Sequence, residues 1–394
     1  MPDDVVITGM GLASPIGCDE PTFWESLTTG RSGAAPVAGF DTSDLPRRIA
    51  CQIHQPIDGR DGDGRASRLA ARAARQAVND AVLGDAPDAL SRTCIVIGTT
   101  MGETEFIEER LDANPEDWLS GPHLRRILAG RPGCISQAVN RELGMSASTI
   151  DLYGACAAGN MALAQARRRL LDGRYDIALA GGADGFSRLA FIGFMRLRVM
   201  AAERCRPFDE QRDGLFVGEG AAVFVLERES DARARGARVR ARIVGTGVSC
   251  EDHHPTRPHP EGDGLARATR AALAEADLSP AHVDYVCAHG TGTPQNDAIE
   301  IAMMNRIFPE ATPFSSIKAL TGHTMGAAAA LEAAACVLSL EHQTLIPTWN
   351  LENVLRPCRM HALQGSSRPA RVRCVVNNSA GFGGYNSSLV LAVA

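Results

Sequence analysis

A cysteine among small residues, Tyr153-Gly154-Ala155-Cys156-Ala157-Ala158-Gly159, is the position in this chain best suited to nucleophilic chemistry. The apolar run from Ile150 reads as a strand, and an Ala-rich stretch from Asn160 to Leu171 follows at helical spacing. The thiol is therefore predicted to sit near a helix N-terminus. Unpaired N–H groups and the helix dipole there favour an anion, which lowers a thiol's pKa. Taken alone, such a cysteine is more often an inert, buried side chain.

Two histidine motifs shift that balance. In Val286-Cys287-Ala288-His289-Gly290-Thr291-Gly292-Thr293, an apolar strand from Tyr285 to Ala288 ends at a histidine, and a Gly/Thr loop follows. The glycines admit close backbone approach of a ligand, and the Thr291 and Thr293 hydroxyls can face one polar tail. In Ser315-Ser316-Ile317-Lys318-Ala319-Leu320-Thr321-Gly322-His323-Thr324-Met325-Gly326, the second histidine opens an Ala-rich helix reaching Leu340. A thiol and two imidazoles, each at a junction of a small-residue loop with a regular element, point to covalent catalysis.

The elements that must position these groups follow from periodicity. Runs at Cys94–Gly98, Ile177–Gly181, Ala222–Leu226, Ile243–Val248, Val372–Asn377 and Leu389–Val393 read as strands alternating with Ala-rich helices. That alternation predicts an α/β fold. The two halves also echo one another: with Cys156 aligned on His323, Ala155 falls on Gly322, Gly159 on Gly326, Ala162 on Ala329 and Ala166 on Ala333. An internal duplication would place two helix N-termini at a common centre.

These residues resemble an elongating β-ketoacyl-acyl-carrier-protein synthase, a type II condensing enzyme of the thiolase-like superfamily. The resemblance runs the length of the chain, from Val5-Val6-Ile7-Thr8-Gly9-Met10-Gly11 to Asn378-Ser379-Ala380-Gly381-Phe382-Gly383-Gly384-Tyr385-Asn386. Arg206-Pro207-Phe208-Asp209, Arg212-Asp213-Gly214 and Gly218-Glu219-Gly220-Ala221 lie between. It implies a thiolase-like fold of two pseudo-duplicated halves, residues 1–235 and 236–394, layered α-β-α-β-α. It also implies decarboxylative condensation of a malonyl-carrier with an acyl group held on Cys156, with His289 and His323 stabilising the enolate. Cys–His–His separates this group from the initiating synthases, which use Cys–His–Asn.

Further roles come from the same resemblance. Lys318 and Glu332 match a supporting ion pair, and the backbone N–H groups of Cys156 and Phe382 match an oxyanion hole. Phe382 matches an acyl gate, Phe194 and Ala380 lie at the acyl pocket, and Thr256, Thr291 and Thr293 match pantetheine-binding threonines. Asp297 and Glu300 read as structural. Arg65, Arg68, Arg125, Arg126 and Arg198 lie near positions associated with docking of the acidic carrier protein, where a basic rim would steer association. Ala380 stands where an aromatic residue is usual and Tyr385 where threonine is usual, so the acyl cavity is expected to differ in shape. The implied partners are an acyl carrier protein and a second subunit, either an identical chain or a homologous chain-length factor lacking the nucleophile. The substrates ride on carrier phosphopantetheine, and no further cofactor is implied.

Composition narrows the remaining classes. The chain has 394 residues, 45% of them hydrophobic, enough for a large core, and no low-complexity linker divides it. A net charge of −6 argues against general nucleic-acid binding. Eleven cysteines without a C-x-x-C pair speak against a disulfide framework and for a reducing, cytoplasmic setting. The N-terminal residues lack the pattern of a signal peptide. The apolar stretch from Ala327 to Leu340 contains Glu332 and is too short to span a bilayer. His253, His254 and His259 cluster loosely in a Pro-rich loop without the ligand spacing of a zinc site, and no metal is expected. A chain-length factor would lack Cys156. A thiolase acting on coenzyme A thioesters is disfavoured by His323 and the Gly-Phe-Gly-Gly turn, and a papain-like protease by the residues around the cysteine.

Overall fold

The computed structural model describes residues 4–84, 92–112, 124, 128 and 130–394. Strand β1 (Val5–Ala13) is buried along its whole length, as expected of a near-continuous apolar run covered on both faces. The first half adds β2 (Thr93–Thr99), β3 (Ser148–Tyr153), β4 (Ile177–Asp184) and β5 (Gly220–Arg228). The second half supplies β6 (Ala241–Cys250), β7 (Tyr285–Cys287), β8 (Pro313–Ser315), β9 (Cys374–Ala380) and β10 (Tyr385–Ala392). All six strand-like runs of the sequence overlap strands, with Val372 and Arg373 lying just before β9 and Val393 just after β10. Most extend beyond the apolar run, because polar and small residues such as Asp184 and Ser379 complete the ladders.

Among the described residues these strands and the short His361–Ala362 form one mixed sheet. Its order is His361–Ala362, β8, β7, β9, β10, β6, β1, β5, β4, β2, β3. Read outward from the central β6–β1 pair, each half runs first, fifth, fourth, second, third strand. The pairings repeat as well: first with fifth and fifth with fourth antiparallel, fourth with second and second with third parallel. The halves join where Val5, Val6 and Ile7 pair antiparallel with Ile243, Arg242 and Ala241.

Helices complete a layered thiolase-like architecture. Helix α1 (Arg65–Asp80) covers β1, β5 and β4 on the outside together with α2 (Cys134–Glu142). In the centre α3 (Ala158–Leu171) packs against α6 (Ala328–His342), with a strand layer on either side. On the far side α4 (Asp263–Glu275) lies on β6 and β10 with α5 (Pro294–Ile307) beside it. The first strand of each half carries two glycines where its outer helix touches. A Cβ at Gly9 or Gly11 would meet the Ala77 or Ala73 carbonyl at 2.2 or 2.1 Å, and one at Gly245 or Gly247 the Ala272 or Ala268 carbonyl at 2.1 or 1.9 Å. Helix and strand can approach that closely only because these positions lack a side chain.

The internal echo is present, but in a different register. A single 3-10 turn precedes each central helix, Ala155–Ala157 before α3 and Met325–Ala327 before α6. Each opens with a left-handed residue, Ala155 at φ 48° and Met325 at φ 54°. Cys156 therefore corresponds to Gly326 rather than to His323. A shift of three residues nearly preserves the helix face, so alternating small residues match almost equally well in either alignment.

Candidate active site

Cys156, His289 and His323, far apart in sequence, line one cavity of about 360 Å3. Each comes from a junction: Cys156 from the turn ahead of α3, His289 from the end of β7, and His323 from the loop before α6. The two imidazoles meet edge to face, with centroids 5.4 Å apart. The cavity wall also includes Phe194, Leu215, Thr256, Thr291, Thr293, Ala380 and Phe382.

The hydrogen bonds define how each imidazole faces the cavity. Met325 N–H donates to Nδ1 of His323 at 3.1 Å, so in the neutral ring Nε2 carries the proton. Nδ1 of His289 lies 3.3 Å from the Lys318 ammonium, which has only donors to offer, so here too Nε2 is the protonated nitrogen. Lys318 is fully buried, donates to the His289 carbonyl at 2.5 Å and is ion-paired with Glu332 on α6. Burial, followed by the Lys318 charge, holds both histidines well below the usual imidazole range, and His323 adds a further push on His289. The site thus presents two neutral N–H donors.

The thiol departs from expectation. Burial pushes Cys156 up to about 12, although Lys318 and the Phe382 N–H act to lower it. A helix end contributes at most about 2 kcal/mol, roughly 1.5 pKa units, too little to offset complete burial. Burial thus favours the thiol over the thiolate in the free enzyme.

Family comparisons agree with this arrangement. The model for the beta-ketoacyl synthase N-terminal domain matches residues 2–232, and that for the beta-ketoacyl synthase C-terminal domain matches residues 240–352. The chain belongs to the beta-ketoacyl synthase family. The 3-oxoacyl-[acyl-carrier-protein] synthase 2 of Coxiella burnetii (strain RSA 493 / Nine Mile phase I) is 35% identical, covering 98% of each chain. The ishigamide ketosynthase/chain length factor superposes with a TM-score of 0.95 at 38% identity, covering 100% of each chain. A type II polyketide ketosynthase, solved with its acyl-carrier protein and bound to the hexaketide, gives 0.91 at 26% identity, again covering 100% of each chain. This beta-ketoacyl synthase is therefore an acyltransferase of the condensing type.

Several residues that hold the site together were visible only as structural candidates, or not at all. Asp297 and Glu300, both buried on the first turns of α5, grip the loop after β7. Glu300 accepts from His289 N–H at 2.7 Å and Gly290 N–H at 2.8 Å, and Asp297 accepts from Thr291 N–H at 3.0 Å and Phe208 N–H at 2.8 Å. Burial raises both carboxyls, Glu300 to about 7. The Thr291 and Thr293 hydroxyls lie 2.9 Å apart. Ser379, within a recognised motif but without an assigned role, donates to the Cys156 carbonyl at 2.9 Å.

The arginines divide. Arg198 is exposed and lines the cavity mouth, as does Arg257, which the sequence reading did not single out. Arg65 and Arg68 have partners within the fold. Arg65 binds Glu219 through two N–H groups at 2.9 and 3.0 Å and donates to the Ile53 carbonyl at 2.8 Å. Arg68 donates to the Asp63 carbonyl at 2.9 Å. Both residues are half-buried, and neither lines the cavity. Arg125 and Arg126 lie outside the described residues. Among the described residues no helix is long and apolar enough to cross a membrane. Likewise, no group of three or more His, Cys, Asp or Glu could hold a metal ion, although the His253 and His259 rings lie 5.1 Å apart.

Proposed function

We propose that Cys156 is the acyl-carrying nucleophile of this condensing enzyme and that His289 and His323 donate through Nε2 to the enolate of the extender. The observation that carries this reading is the convergence of one thiol and two N–H-donating neutral imidazoles on one cavity. In the first half-reaction the Cys156 sulfur attacks the thioester of an acyl-carrier. Its proton ends on the departing pantetheine sulfur, and Lys318 favours the transient thiolate. The Phe382 N–H, which already reaches the sulfur, and the Cys156 N–H would hold the acyl oxygen. In the second half-reaction a malonyl-carrier loses carbon dioxide. The enolate oxygen accepts from the two histidines, the carbon attacks the acyl-cysteine, and the released sulfur regains a proton from solvent. The product is a β-ketoacyl-carrier two carbons longer.

Phe382 stacks on Phe194 with centroids 5.6 Å apart and rings 20° from parallel, which supports Phe382 as the gate and Phe194 as its stop. Thr256, Thr291 and Thr293 line the way in and suit the amides of pantetheine. Arg198 and Arg257 at the mouth suit an acidic carrier protein. Residues 1–235 and 236–394 are read as the two halves, supported by the repeated strand order.

A second reading concerns assembly: the chain acts as the active subunit beside a Cys-less, chain-length-factor-like partner. It is favoured by the likeness to the ishigamide ketosynthase/chain length factor and by Ala380 and Tyr385 flanking the gate. Intact-protein mass after incubation with an octanoyl-carrier tests the chemistry. One acyl group should be gained, and lost in Cys156→Ala. Unchanged acylation of the variant would refute the assignment. A stable, fully active homodimer would exclude the second reading.

A further inference from the structure

The repeated architecture gives the catalytic turn a counterpart. Cys156 corresponds to Gly326, and the β4 end Asp184-Gly185-Phe186 corresponds to the β9 end Ala380-Gly381-Phe382. In the working half, the N–H groups of Cys156 and Phe382 face the thiol, where the proposed function puts the acyl oxygen. In the counterpart, both equivalent N–H groups are taken by carboxylates. Gly326 N–H donates to Asp184 at 2.6 Å, and Phe186 N–H donates to Glu219 at 3.1 Å. Glu219 is held in turn by Arg65, which gives that arginine a place in the interior.

Asp184 does more than fill a hole. It is wholly buried and accepts from the Thr99 hydroxyl at 2.6 Å, Thr100 N–H at 2.8 Å and Met101 N–H at 2.9 Å, besides Gly326. It therefore ties the turn at 325–327 to the end of β2. That turn carries Met325, whose N–H fixes the tautomer of His323. We propose that Asp184 is a positioning residue for His323, its carboxylate standing in the second half where a substrate oxygen would stand in the first. This rests on His323 acting as an Nε2–H donor. An anion accepting four donors is a stiff anchor, and an amide in its place would turn an NH2 group toward N–H groups.

The test compares Asp184→Asn with Thr99→Val, which removes one donor to the same carboxylate and leaves the Gly326 bond. Asp184→Asn should lower kcat about 10- to 100-fold, with KM for the carrier substrates nearly unchanged. In Thr99→Val kcat should stay near wild type at a comparable loss of Tm. Asp184 also raises the Cys156 pKa, so the pH at which iodoacetamide inactivation accelerates should move down in Asp184→Asn, which loss of packing alone would not produce. Equal kcat losses in both variants would overturn the proposal. Should Asp184→Asn fail to fold, the wild-type imidazole 15N spectrum decides: His323 must be a single Nε2–H tautomer, and a mixture overturns the proposal. Acylation of Cys156→Ala would instead refute the nucleophile assignment and leave the tautomer result standing.

Discussion

The Lys318 ammonium lies 3.3 Å from Nδ1 of His289 and donates to that residue's own carbonyl at 2.5 Å. One cation thereby fixes the ring, its tautomer and its protonation state, while Glu332 supplies the charge that makes a buried lysine tolerable. The same cation favours the Cys156 thiolate. Three functional groups thus depend on one side chain that never needs to touch substrate.

Lys318→Ala should therefore damage both half-reactions. Glu332 would be left buried without its partner, at a cost of about 3–5 kcal/mol of stability. His289 would lose its tautomer control and Cys156 its nearest favourable charge. The expected outcome is a fall in kcat of at least about 100-fold, together with a slower acylation burst. A variant that folds and turns over near the wild-type rate would show that the lysine only fills space.

The buried thiol makes a separate prediction. Its pKa, pushed to about 12 by burial, means that thiolate stays scarce at neutral pH. Inactivation by iodoacetamide should keep accelerating with pH beyond 9, past the plateau of an ordinary cysteine at about 8.5. A plateau near pH 7 would mean that the free enzyme already holds a thiolate, contrary to the burial argument.

The catalytic trio was legible because each member sits in a short run of small residues, where chemistry and close packing leave the same local signature. Strands such as β1, β2, β4 and β5 were legible because both their faces are covered and their apolar runs are nearly unbroken. The register of the internal repeat was not, since small residues three apart fall almost on the same helix face. Nor was the thiol's protonation state, because the groups that bury Cys156 come from β9, β10 and α6. Arg65 shows the same limit from the other side. It was expected on a basic docking rim, yet Glu219, 154 positions away, holds its guanidinium.

Glu300 links the histidine loop to pH. Its carboxyl is raised to about 7 by burial from an ordinary 4.5. Between those values the unfolded chain releases the proton and the folded chain keeps it. Its contribution is thus fully present below about 4.5 and lost as pH rises through about 7. Glu300→Gln cannot ionise, so relative to it the wild type should lose stability over that window, by at most about 1.4 kcal/mol per pH unit. Denaturant midpoints of the two proteins across pH 4.5 to 7.5 measure the difference. A constant offset would mean that Glu300 stays ionised in the fold.

The gate supplies the last prediction. With Phe382 stacked on Phe194, an acyl chain passing beyond Cys156 must part the two rings, and an offset aromatic pair is worth about 0.5–1.5 kcal/mol. Phe194→Ala removes the stop against which Phe382 rests while leaving the Phe382 N–H in place. Long acyl-carriers should then acylate Cys156 up to about tenfold faster. Short chains that do not reach past the gate should be unaffected. A burst measurement with acetyl- and dodecanoyl-carriers separates the cases. Equal acceleration of both would place Phe194 outside the acyl path. Slowing of both would mean that the stack orders the Phe382 N–H for the acyl oxygen rather than closing the tunnel.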